Sequence, residues 1–114
     1  MASSGMSGPF TLSPRGIDQT VEAGRIGTYA LGNTGNDGTF FIGYVGRSDI
    51  DLNGRLKQHV GKHPLFKALY WSTAKEAFEH ECRVYHDFSP PENEIHPDRK
   101  KGTAWSCPAC PVFD

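Results

Sequence analysis

A run dense in turn formers, Gly32-Asn33-Thr34-Gly35-Asn36-Asp37-Gly38, separates two stretches of strand character, residues 26–31 and 39–45. Glycine and asparagine accept the backbone angles that reverse a chain, so the two stretches are expected to meet as an antiparallel hairpin with a long loop. Helical signals follow. Asp49 or Asp51 can cap a helix over residues 52–60, where Leu52, Leu56 and Val60 form one apolar stripe and Gly61 ends it. Residues 66–71 read as a third strand after His63-Pro64. Thr73-Ala74-Lys75-Glu76 fits a capping box opening a second helix to about residue 88, which Pro90-Pro91 cannot continue. The expectation is an α/β (α+β) domain over residues 25–95, with a small three-stranded, mainly antiparallel sheet flanked by helices.

At 114 residues the chain has room for one modest core. The Ser- and Gly-rich start marks residues 1–24 as a flexible extension, without the apolar stretch of a secretory signal. No apolar run approaches the roughly 20 residues that span a membrane, and a cytoplasmic protein is expected. A net charge of −1 does not advertise a nucleic-acid binder. Charge is uneven, however: Arg47, Arg55, Lys57, Lys62 and Lys67 outnumber Asp49 and Asp51 between residues 47 and 67. A basic face of this kind can contact phosphates.

Three features carry chemistry. Arg55 and His59 are four residues apart on the first helix, so they project side by side. Tyr44-Val45-Gly46-Arg47 closes the second strand just before them. Glu81 falls inside the apolar 74-78-81-85-88 stripe of the second helix, and a carboxylate there is costly to bury without a partner or a metal.

In this order the residues resemble the GIY-YIG nuclease family. Gly27-Thr28-Tyr29 stands at the family's first motif, with Thr28 in place of the usual apolar residue. Tyr44-Val45-Gly46 stands at the second; Phe41-Ile42-Gly43 competes for that place but lacks the hydroxyl. Arg55 matches the helix arginine, His59 the histidine or tyrosine of several branches, Glu81 the metal-binding glutamate, and Pro90 and Asn93 the residues that follow it. The resemblance covers residues 25–93. It implies a metal-dependent endonuclease hydrolysing DNA phosphodiesters, RNA not being excluded. Tyr29, Tyr44, Arg55, His59, Glu81 and Asn93 would be the site, and Arg47, Lys57 and Lys62 would contact the substrate. Glu81 would hold one Mg²⁺ or Mn²⁺ and Arg55 would clamp the phosphate; Tyr29, Tyr44 and His59 all stay open as the base. The alternative is a non-catalytic nucleic-acid-binding module, or a zinc-stabilised protein-interaction module, on the same fold.

The tail, residues 96–114, carries Cys107-Pro108-Ala109-Cys110 with metal-ligand spacing. Cys82 and His86 share a helix face. Cys82, His86, Cys107 and Cys110 could therefore hold a structural Zn²⁺ that pins the tail to the helix, with His96 as an alternative fourth ligand.

Overall fold

The computed structural model describes residues 4–113. Its elements run β1 (Ser7–Thr11), α1 (Pro14–Thr20), β2 (Gly27–Thr34), β3 (Phe40–Ser48), α2 (Leu52–Lys57), β4 (Leu65–Tyr70) and α3 (Ala74–Phe88). Among the described residues this is a small α+β fold. Three helices accompany one four-stranded sheet in the order β1-β4-β2-β3, with every neighbouring pair antiparallel.

The hairpin forms around the Gly-rich loop, with Tyr29 opposite Gly46 and Thr28 opposite Arg47. Its register steps between Leu31 and Gly32: Leu31 faces Tyr44, but Gly32 faces Ile42. Gly43 is the extra residue, a β-bulge in β3. A side chain there would press on His63 and Glu92.

β2 is central, so its two faces are buried by different helices. Tyr29 and Leu31 point to a core with Ile17 of α1 and with Leu52 and Leu56 of α2. Ala30 points to the opposite core, with Val45 and with Val84 of α3. That two-residue alternation is the strand pleat expressed as packing. Thr73 caps α3, its hydroxyl oxygen accepting from the Glu76 backbone N–H at 3.2 Å. Ser89 ends the helix in the left-handed region, at φ 45°.

The N-terminal segment corrects two expectations. Residues 1–24 were expected as a flexible extension; residues 1–3 lie outside the described residues, but the rest contains β1 and α1. β1 adds a fourth strand to the expected three. Ile17 is fully buried, which contributes about 1.5–3 kcal/mol. The Asn53 side-chain amide of α2 donates to the Val21 carbonyl at 2.8 Å and to Asp18 at 3.1 Å, tying this segment to the domain. The helix expected over residues 52–60 is α2, which stops at Lys57, so His59 lies in the turn that follows it. Among the described residues no helix is long and apolar enough to cross a membrane.

Candidate functional site

A cleft of about 430 Å³ opens beside β3. Tyr29, Tyr44, Arg47, Arg55 and Glu81 line it, with Asp49 in the loop after β3. Five of the side chains singled out in the sequence thus converge from β2, β3, α2 and α3. The backbone explains why they can. Tyr29 lies on the sheet face that packs against α1 and α2, whereas Arg47 lies two residues from Val45, on the face that packs against α3. Gly46 separates them: a Cβ at that position would run into the Tyr29 ring. The missing side chain lets the tyrosine reach the strand edge, where groups from both faces meet.

Glu81 is 7% exposed. Its Oε1 accepts from Arg47 Nη1 at 2.7 Å, and Arg47 Nε donates to Asp49 Oδ1 at 2.9 Å. Phe78, one helical turn before Glu81, lies under the Arg47 guanidinium at 5.1 Å. Burial pushes the Glu81 carboxyl up to about 7 in spite of Arg47. Arg47, expected to contact substrate, is therefore engaged as the counter-ion of two carboxylates. Arg55 also lines the cleft and is exposed, its Nη1 making a long 3.5 Å contact with the Gln58 side-chain oxygen.

Tyr29 is 2% exposed, and its hydroxyl sits 2.9 Å from His59 Nε2. Burial drives the phenol well above its ordinary value, so it stays protonated. Burial and the nearby charges of Lys62 and Arg55 lower His59, so the imidazole is neutral near pH 7. In the tautomer with its lone pair on Nε2, His59 can accept a hydrogen bond from the Tyr29 hydroxyl. Burial also raises Tyr44, whose ring lies 6.3 Å from Tyr29 and 5.6 Å from His59.

Other expected site residues lie elsewhere. The Asn93 side chain accepts from the Val45 N–H at 2.8 Å and donates to the Val45 carbonyl at 3.0 Å. It clasps the β3 edge in the manner of a neighbouring strand and does not line the cleft. Lys57 pairs with Asp18 at 2.7 Å, and Lys62 is exposed beyond α2; neither lines the cleft. Conversely, Asp98 and Lys100 of the tail do line it, and sequence reasoning missed both. They sit in irregular chain, where no periodicity predicts direction.

A second cluster lies at the far end of α3. His86, His96, Cys107 and Cys110 each offer one ligand atom, and these atoms all lie within 4.8 Å of one another. This group could hold a metal ion. His96, the alternative ligand, takes the place expected for Cys82. Cys82 is fully buried in one cluster with Phe78 and Cys107, and its sulfur is not among the four ligand atoms that converge.

No family model, curated protein or solved structure matches the chain.

Proposed function

We propose that the chain is a small GIY-YIG-type endonuclease that hydrolyses DNA phosphodiester bonds at the cleft between Tyr29, Tyr44, Arg55 and Glu81. One observation carries this reading: side chains from four separate elements, picked out by order in the sequence, share one 430 Å³ cleft. Arg55 suits a phosphate clamp, because it is exposed and a guanidinium matches phosphate oxygens in pairs.

Hydrolysis needs a deprotonated water, a stabilised phosphorane and a neutralised leaving oxygen. Tyr29 cannot act as a free phenolate, given its burial. It can relay. The water's proton passes to the Tyr29 oxygen as the phenol's own proton passes to His59 Nε2, at 2.9 Å. The hydroxide then attacks phosphorus as the bond to the 3′ oxygen breaks, the 3′ oxygen takes a proton from solvent water, and Arg55 holds the phosphate oxygens; His59 then returns its proton to solvent. Tyr44, with its ring beside His59, can orient the water.

The residues fit a hard divalent cation. Glu81 is a buried carboxylate whose Oε1 is taken by Arg47, which leaves Oε2 for a cation that keeps most of its waters. Mg²⁺ or Mn²⁺ bound there would supply positive charge to the leaving oxygen and to one phosphate oxygen.

At the second cluster the metal proposed is zinc, since two imidazoles and two thiols match its preferred tetrahedral donors. A second reading, a binding module without turnover, draws on the same ion pair: Arg47 already compensates Glu81. Cleavage assays on linear, nicked, branched and single-stranded DNA with Mg²⁺ or Mn²⁺ separate the two. Salt-dependent binding without cutting would favour the module.

A further inference from the structure

The tail between His96 and Cys107 serves two places at once. Its ends hold ligand-type side chains of the second cluster, and its middle supplies Asp98 and Lys100 to the cleft wall. No helix or strand supports residues 89–113. Besides the cluster, Arg99 donates to the Trp105 carbonyl at 3.2 Å, and Trp105 and Phe113 pack on Phe78 with ring centroids 5.5 and 5.9 Å away.

The cluster has the chemistry of a closed metal site. His96 Nδ1 lies 2.7 Å from the Pro97 carbonyl, which can only accept, so Nδ1 carries the proton and the neutral ring keeps its lone pair on Nε2. That Nε2 lies 3.2 Å from His86 Nε2 and 3.4 Å from Cys110 Sγ. In a tetrahedral zinc site, neighbouring nitrogen and sulfur ligands stand about 3.3–3.8 Å apart, given the usual bond lengths. The Ala109 backbone N–H points at Cys107 Sγ at 3.4 Å, where it would stabilise a thiolate.

We propose that a Zn²⁺ held by His86, His96, Cys107 and Cys110 builds the tail-side wall of the cleft, and that its presence decides whether Asp98 and Lys100 stand there. The inference rests on zinc as the metal of this cluster, and its bearing on catalysis rests on the cleft as the working site. Two routes carry the effect. His96 is two residues before Asp98, so fixing one end fixes the other. Trp105, two residues before Cys107, packs on Phe78, whose ring lies under Arg47 beside Glu81. Metal loading thereby regulates the shape and charge of the cleft.

The test uses the full chain and no DNA, so an inactive enzyme would not obscure it. Elemental analysis should find one zinc per chain. Co²⁺ in its place should give the visible bands of a tetrahedral ion and a thiolate-to-metal charge-transfer band, both lost in Cys107→Ser and in His96→Ala. Hydrogen exchange is then measured before chelation, after it, and after zinc is restored, which keeps the test independent of how the variants fold. Exchange over residues 97–101 and 46–50 should quicken by about tenfold or more on metal removal and recover on return. Three results would overturn the proposal: no metal bound or taken up, a Cys107–Cys110 disulfide in the purified protein, or metal loss that leaves exchange at 46–50 unchanged.

Discussion

The cleft and the His/Cys cluster share one helix, with Glu81 and His86 five residues apart on α3, yet they group their polar atoms in different ways. In the cleft a carboxylate is compensated by a guanidinium at 2.7 Å. In the cluster, two imidazoles and two cysteine sulfurs converge within 4.8 Å of one another. On the proposed reading, the first arrangement receives a hard cation and a phosphate from solvent. The second suits a soft-ligand metal that stays. The difference teaches that one helix can present two chemically distinct polar groups, an ion-paired carboxylate and a set of soft ligand atoms, within five residues.

The largest expected effect breaks the cleft side of this comparison. Glu81→Ala leaves Arg47 mostly buried with Asp49 alone, and loss of one partner of such a pair costs about 3–5 kcal/mol. Urea unfolding reads it; a change within error would mean that the pair is solvated and the contrast false. The same carboxyl has a pH signature. Its value is raised from the ordinary 4.5 to about 7, so the folded chain binds its proton more tightly than the unfolded one. That contribution to stability is complete below about pH 4.5 and is lost as pH rises through about 7. Stability of the metal-free protein should therefore fall across this window by up to about 1.4 kcal/mol per pH unit, with a flatter profile in Glu81→Gln.

Arg55→Ala comes next. Loss of a charged clamp on the transition state costs about 10²–10³-fold in cleavage rate, while the melting temperature should not move because Arg55 is exposed. Asn93→Ala sharpens the comparison from the other direction, since Asn93 clasps the β3 edge outside the cleft. Two lost bonds to Val45 should destabilise the fold by about 1–3 kcal/mol, and the stably folded fraction should keep cleaving. A larger loss of activity than of stability would return Asn93 to the site. The smallest effect is expected at Lys57→Ala, where a surface pair with Asp18 is removed: no measurable change in melting, and none in cleavage.

The hairpin, α3 and the position of Glu81 were legible because each depends on a local period or a strong turn signal. The N-terminal elements were not. β1 is an edge strand with mostly exposed residues, and α1 has seven residues with Ile17 as its one buried side chain, too little for any periodicity to register. The cleft was legible in its tyrosines, Arg55 and Glu81, whose elements have regular direction. Arg47 as a counter-ion depends on α3 crossing beside β3, a tertiary fact. Helical spacing pairs Cys82 with His86, but it cannot tell a sulfur that packs in the cluster of Phe78 and Cys107 from one whose atom joins the converging ligands. His96, ten residues beyond His86, could be weighed by chemistry but not by spacing.

The most direct test of the central claim is a cleavage assay of wild type and Arg55→Ala, side by side, on linear, nicked, branched and single-stranded DNA with and without Mg²⁺ or Mn²⁺. The expected result is metal-dependent product from wild type on at least one substrate, reduced about 10²–10³-fold in a variant that melts at the same temperature. No product from wild type on any substrate, or equal product from both proteins, would contradict it.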